Sequence, residues 1–288
     1  MTERLQKALA TAGLASRREI EQWIRDGRIQ VNGRPAEIGQ NVTPEDKVRV
    51  DGKPVHLSGK AVPTRVLLYR KRVGEMVTRD DPEGRRTIFR KLPELATGRW
   101  IAIGRLDINT SGLLLLTNNG ELARRLTHPS FELDREYAVR VLGEVDEAML
   151  ERLRSGVTLD DGPGKFESIG PGENEDGEGA NQWYQVSLRE GRNRLVRRLL
   201  ESQGLQVSRL IRIGYGPVKL GRGIKTGSSR EATPEELAAL LAAVGIEEAP
   251  PKKPGSPRRG SGRPAASKPV APRRPAPARG RRSRPGSP

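Results

Sequence analysis

The stretch from 100 to 117 constrains this chain more than any other. Trp100-Ile101-Ala102-Ile103 is apolar, Gly104-Arg105-Leu106-Asp107-Ile108-Asn109-Thr110-Ser111-Gly112 carries one base and one acid, and Leu113-Leu114-Leu115-Leu116 is apolar again. Short apolar runs bounded by turn residues suit buried strands. A loop slung between two such strands is held by a rigid sheet, a common way of positioning reactive side chains. Residue types alone leave Asp107 two readings, a turn cap or a reactive carboxylate, and the cap is the commoner of the two.

Composition narrows the class. The 288 residues suffice for about two domains at roughly 150 residues each. No apolar run reaches the roughly 18 residues of a membrane span. The first seven residues read as an amphipathic helix, not as a signal peptide. With no cysteine, disulfides, thiolate zinc sites and cysteine nucleophiles are all excluded. His56 and His128 are too few for a histidine-rich metal site. The expectation is a soluble, cytoplasmic monomer whose chemistry needs neither metal nor cofactor.

Charge is unevenly spread. Residues 249–288 hold twelve Lys or Arg and no Asp or Glu, so subtracting them from the net charge of +16 leaves +4 for residues 1–248. A nucleic-acid site in the globular part must therefore come from where the charges stand, not from their sum. The Pro-, Gly-, Ser- and Arg-rich tail cannot bury enough surface to offset the entropy of ordering and is expected to be disordered. It is either a non-specific tether for RNA phosphates or simply a solvating extension.

Residues 1–60 form a first module. Leu5, Leu9 and Ala12 share a helical face ended by Gly13. Ser16-Arg17-Arg18-Glu19 fits a capping box ahead of Ile20, Trp23 and Ile24, and Gly27 is placed to stop that second helix. Strands at 29–31 and 48–50 lead into Asn32-Gly33 and Asp51-Gly52 turns. Residues 51–64, with Gly52, Pro54, Gly59 and Pro63, read as a linker. Residues 61–248 form the second domain. Strands are expected at 66–69, 100–103, 113–116, 137–141, 183–188 and 207–213, and helices at 120–126, 146–153 and 194–203. This is an α+β pattern with a mixed, mainly antiparallel sheet.

Arg4-Leu5-Gln6-Lys7-Ala8-Leu9-Ala10, Ala15-Ser16-Arg17-Arg18-Glu19-Ile20-Glu21 and Gly27-Arg28-Ile29-Gln30-Val31-Asn32-Gly33 together resemble the S4 RNA-binding module. The resemblance implies RNA contacts from Arg4, Lys7, Arg17 and Arg18. Arg17 and Arg18 occupy a first helical turn, where side chains and free N–H groups can both face phosphate.

Gly104-Arg105-Leu106-Asp107 followed by Thr110-Ser111-Gly112-Leu113-Leu114 resembles the catalytic motif of pseudouridine synthases. Arg135-Glu136-Tyr137-Ala138-Val139 resembles their tyrosine motif, and Glu190-Gly191-Arg192-Asn193-Arg194-Leu195-Val196-Arg197-Arg198-Leu199 their basic motif. Three motifs in the right order behind an S4-like module identify a member of the ribosomal RNA pseudouridine synthases of the RsuA/RluB type. Asp80-Asp81-Pro82-Glu83-Gly84-Arg85, Asn181-Gln182-Trp183-Tyr184 and 207–212 are most similar to the large-subunit, 23S rRNA, branch. Leu195 departs from the pattern, since relatives often carry glutamine there.

The resemblance implies roles. Asp107 is the nucleophile that holds an intermediate while the base turns. Arg197 is its basic neighbour, whose guanidinium favours the charged carboxylate. Tyr137 stacks on the flipped uracil or moves a proton. Arg105 fills the space the base leaves or binds its phosphate, with loop support as the rival role, and Arg192 and Arg194 face RNA. His128 has no catalytic role. Attack at C1′, attack on the base, and a glycal route through loss of the C2′ proton all remain open. A uridine in folded rRNA must be flipped out, at a cost of a few kcal/mol. The partner implied is 23S rRNA or a large-subunit precursor. The competing reading, a non-catalytic rRNA-binding assembly factor, has no need of Asp107, Tyr137 and Arg197 together. A ribosomal structural protein leaves the second domain unexplained, and no Gly-x4-Gly-Lys-Ser/Thr phosphate loop is present.

Overall fold

A computed structural model describes residues 2–57, 62–172 and 181–247. The basic tail lies outside the described residues. In the N-terminal region β1 (Glu3–Arg4) precedes α1 (Leu5–Thr11) and α2 (Arg17–Arg25), followed by β2 (Ile29–Val31), β3 (Arg34–Pro35), β4 (Asn41–Val42), β5 (Val48–Val50) and β6 (Lys53–Val55). The capping box forms: the Glu19 N–H donates to Ser16 Oγ at 3.1 Å, and Glu19 accepts from the Ser16 N–H. Leu5, Leu9, Ile20 and Ile24 pack with Ile29, Val31, Val48 and Val50 into one core. Asn32-Gly33 and Asp51-Gly52 adopt left-handed backbone at both turn positions, as tight hairpins with right-handed twist require. Two expectations change. The opening residues contribute a strand paired to β4 before the helix begins, because the Leu5 N–H bonds to the Gln40 carbonyl. The supposed linker contains β6, which closes a hairpin on β5.

The second region comprises β7 (Val66–Lys71), β8 (Ile101–Ile103), β9 (Ser111–Thr117), α3 (Gly120–Thr127), β10 (Arg135–Leu142), α4 (Glu147–Ser155), β11 (Val157–Leu159), β12 (Gly162–Gly164), β13 (Ser168–Pro171), β14 (Asn181–Leu188), α5 (Leu195–Glu201), β15 (Gln206–Tyr215), β16 (Val218–Lys219), β17 (Ser229–Glu231) and α6 (Pro234–Ala242). Seven strands run β13-β14-β10-β15-β9-β7-β17, with β8 added on β9 and β16 on β15. All of these pairings are antiparallel except β15 with β9. At that seam Gly112, at φ +102°, meets Arg212 so closely that a Cβ would fall 2.2 Å from the Arg212 carbonyl oxygen. Glycine is the residue this crossing admits.

The four leucines of β9 show why that run is apolar throughout. Leu113 and Leu115 face a core roofed by α3 and α6, while Leu114 and Leu116 face Leu67, Tyr69, Ile88 and Trp100. Both faces of the strand are covered. A third core sets α4 and α5 against β10, β14 and β15. Among the described residues no helix is long and apolar enough to cross a membrane.

Candidate active site

Residues 104–110 join β8 to β9 at the parallel seam. Gly104, at φ +72°, turns the chain out of β8, and the Thr110 N–H closes onto the Asp107 carbonyl at 3.0 Å. The rest of the protein then takes hold of this loop by its backbone oxygens. Lys71, at the end of β7, is fully buried and its Nζ donates to the carbonyls of Asp107 at 2.9 Å, Thr110 at 2.8 Å and Arg72 at 3.0 Å. The Gly74 N–H donates to the Ile108 carbonyl at 2.8 Å. From α5, Arg197 donates through Nη2 to the Asn109 carbonyl and through Nη1 to the Val207 carbonyl, both at 3.2 Å. Each carbonyl from Asp107 to Thr110 therefore has a donor, and two of the anchors are cations.

The Asp107 side chain is left free: among the described residues no hydrogen bond or ion pair reaches its carboxylate. This refines the expected pairing with Arg197. The guanidinium fork is captured by carbonyls and acts on Asp107 through space rather than by a salt bridge. Burial lowers the Arg197 pKa, the charge of Arg194 lowers it further, and Asp107 and Glu201 oppose them. Burial also pulls the Lys71 ammonium down to about 8, against the attraction of Glu75 and Asp107. Glu75, itself buried, accepts from the Tyr69 hydroxyl at 2.9 Å and from the Arg72 N–H at 3.0 Å.

Tyr137 stands half-buried on β10, beside a register irregularity and opposite Arg212. It packs both against the α4–α5 core and against the cluster containing Leu106, next to Asp107. Arg212 is buried; its Nε donates to the Leu113 carbonyl at 2.7 Å, and one terminal nitrogen has no partner among the described residues. Thr110 Oγ1 and Arg197 Nε, both buried beside the loop, likewise have no partner among the described residues.

Sequence reasoning did not single out Lys71, Arg212 or Gly112. The signal for Lys71 was a lysine prolonging an apolar strand past its expected end at Tyr69. Leu195 is buried in the α4–α5 core, so no side-chain hydrogen bond is called for there. His128 caps the turn after α3, accepting from the Ser130 N–H.

The residues expected to face RNA differ in their freedom. Arg17, Arg18 and Arg105 are exposed and, among the described residues, have no hydrogen-bond or ion-pair partner. Arg194 is exposed, 4.0 Å from Glu201. Lys7 lies 3.5 Å from Glu3, and Arg4 donates to the Gly39 carbonyl. Arg192 is the most committed, paired with Glu190 at 2.7 Å and Asp161 at 3.0 Å and bonded to the Pro163 carbonyl.

Two family models match the chain. The S4 domain covers residues 3–48, and RNA pseudouridylate synthase covers residues 65–202. Among curated proteins, it is 56% identical over 248 residues to one from Pseudomonas aeruginosa, which covers 85% of this chain and 63% of that relative. It is 52% identical over 255 residues to one from Salmonella typhimurium, covering 88% and 86%, and 55% identical over 234 residues to one from Escherichia coli (strain K12), covering 80% and 79%. A solved structure described as "Crystal structure of pseudouridylate synthase" superposes with a TM-score of 0.57 at 24% identity, covering 82% of this chain and 99% of that one, which shows a shared fold. The chain belongs to the RNA pseudouridylate synthase family and carries an S4 domain at its N-terminus. The three curated relatives all bear the name Ribosomal large subunit pseudouridine synthase B. The chain spans just under two thirds of the length of the Pseudomonas aeruginosa relative.

Proposed function

We propose that this protein isomerises a uridine of 23S rRNA to pseudouridine, with Asp107 as the nucleophile. The observation that carries the proposal is the contrast within one loop: every carbonyl from 107 to 110 is tied down, while the carboxylate has no partner among the described residues. A group held in place yet free to react is what nucleophilic catalysis requires. The relatives' shared name supports the reaction and the large-subunit substrate.

In the isomerisation the C1′–N1 bond breaks, the base turns, and a C1′–C5 bond forms; the proton leaving C5 is balanced by one gained at N1. Asp107 holds the intermediate while the base turns. Arg197 and Lys71 keep the carboxylate at its station and supply positive charge around it. Tyr137 offers a ring face to the flipped uracil and a hydroxyl for proton movement.

Arg17, Arg18, Arg105 and Arg194 bind RNA phosphates. Arg4, Lys7 and Arg192 belong to the same set, with internal partners that phosphate has to displace. Residues 1–60 act as the RNA-gripping module and 61–248 as the catalytic domain, the basic tail tethers RNA, and the protein works in the cytoplasm as a monomer without metal or cofactor. Asp107→Asn tests the central assignment. The variant is expected to bind 23S rRNA as the wild type does and to release no tritium from RNA labelled at uridine C5. Tritium release at the wild-type rate would remove Asp107 from the role.

A further inference from the structure

The junction of the two regions is a close one. Thr11 and Gly13 meet Gly98 so tightly that a Cβ on Gly13 would fall 2.9 Å from the Gly98 carbonyl oxygen, and one on Gly98 would fall 3.2 Å from that of Thr11. Three arginines surround this contact. Arg17, at the start of α2, reaches over to the start of α3, where its terminal nitrogen lies 3.7 Å from the position of a Cβ on Gly120; that same position is 3.7 Å from Ile101. Arg99 follows Gly98 directly and is half-buried, with no hydrogen-bond or ion-pair partner among the described residues. Arg79 arrives from the loop after β7, donates to the carbonyl of Trp100, and lies 4.4 Å above the Phe89 ring. Residues 98–101 thus gather Arg17 from the S4 domain and Arg79 and Arg99 from the catalytic domain, beside Arg65, which lies 5.3 Å over the Trp100 ring and is paired with Glu231.

Among the described residues no acidic side chain forms an ion pair with Arg17, Arg79 or Arg99, although Asp80 lines the same pocket as Arg79. Glu19 attracts Arg99 but is committed to the capping box of its own helix. Asp81 is bound by Arg85 at 2.7 Å. Burial and the charge of Arg99 both lower the pKa of Arg79; burial and the charge of Arg17 both lower that of Arg99. Like charges held together and partly desolvated cost free energy in the isolated protein unless an anion arrives. Arg79 and Phe89 also line a surface pocket with Asp80, Asp81, Arg85, Thr87 and Arg90; Asp81 is taken up by Arg85, and the pocket keeps three guanidinium groups against two carboxylates. A guanidinium anchored by one donor and stacked on a ring keeps its other N–H groups oriented for phosphate.

We infer that Arg17, Arg79 and Arg99 form a phosphate seat for the RNA backbone that bridges the S4 domain and the catalytic domain. The inference rests on the RNA-modifying reading above. It assigns Arg79 and Arg99, which lie outside the three motifs, as RNA contacts. A strand seated there is gripped at the domain junction, which fixes the distance from the S4 domain to Asp107.

The test is the binding of a 23S rRNA transcript across a range of salt concentrations, for the wild type and for Arg17→Gln, Arg79→Gln and Arg99→Gln. Each variant is expected to bind roughly 10-fold more weakly and to lower the slope of log affinity against log salt by about 0.7–0.9. Without RNA, Arg99→Gln removes a charge that the fold disfavours on balance, burial and Arg17 together outweighing the attraction of Glu19, so its melting temperature equals or exceeds that of the wild type; with RNA the order reverses. Wild-type affinity and slope in Arg79→Gln and Arg99→Gln, alongside a loss in Arg17→Gln, would overturn the bridging seat and leave the S4 reading standing. A wild type with no salt-dependent RNA binding would overturn both. A free Arg99→Gln protein that melts lower and binds RNA unchanged would show Arg99 to be a structural residue.

Discussion

Lys71→Met puts the anchoring of the loop to the test. The wild-type ammonium is fully buried and has three carbonyl oxygens within 3.0 Å. The Asp107 carbonyl keeps the Thr110 N–H as a donor, whereas those of Arg72 and Thr110 lose theirs; a buried acceptor stripped of its donor costs about 1–3 kcal/mol, so two cost roughly 2–6 kcal/mol in all. Methionine fills similar space without carrying a charge into the interior. The lysine's pKa falls from 10.5 to about 8, a burden of about 3 kcal/mol at neutral pH that the variant sheds. The difference centres on about 1 kcal/mol, well below the roughly 5–15 kcal/mol that holds a typical protein folded.

The variant is therefore expected to fold, with a loosened loop. A shift of about 1 Å in a reacting group costs around 100-fold in rate, and that loss is expected in single-turnover tritium release from C5-labelled RNA. Urea denaturation supplies the stability. Because the lysine titrates lower when folded, the unfolded chain binds more protons between about pH 8 and 10.5. Across that window the wild type should gain stability relative to Lys71→Met as pH rises, by up to about 1.4 kcal/mol per pH unit. Wild-type rate and stability in the variant would refute the anchoring role of Lys71.

Other substitutions probe the neighbours. Gly112→Ala forces a Cβ to 2.2 Å from the Arg212 carbonyl oxygen at φ +102°; a loss of about 3 kcal/mol or more is expected, and an unchanged melting temperature contradicts the close crossing. Arg197→Lys keeps the charge but cannot fork between the Asn109 and Val207 carbonyls. A fall in kcat of roughly 10- to 100-fold with little change in KM is expected, and an effect confined to KM counts against a positioning role. Tyr137→Phe retains the ring and should slow turnover by about 100-fold or more with KM preserved. Tyr137→Leu should also forfeit about 1–3 kcal/mol of base stacking; a Phe variant as fast as wild type leaves the hydroxyl without a catalytic task.

Local signals in the sequence carried far. The Ser16–Glu19 box, the two hairpin turns and the helix expected from residue 120 each depend on residues within a few positions of one another, and each forms. The loop around Asp107 was legible because apolar runs flank it. What holds that loop was not, because the anchors come from 36 and 88 residues away along the chain. Lys71 at the end of a strand looks like a solvent-facing terminus until the fold buries it under the loop. Arg192 looked as free as Arg194, yet the β11–β12 hairpin brings Asp161 to it. Short strands such as β16 and β17, at two and three residues, carry too little periodicity to be read. They exist because β15 and β7 offer them unpaired edges.

The most direct test is to incubate the purified protein with unmodified 23S and 16S rRNA transcripts, adding neither metal nor cofactor beyond buffer, and to map pseudouridine by carbodiimide labelling and primer extension. The wild type should produce a stop at a specific uridine of 23S rRNA and none in 16S rRNA, and Asp107→Asn should produce none in either. No stop with the wild type, or an equal stop with Asp107→Asn, would contradict the account.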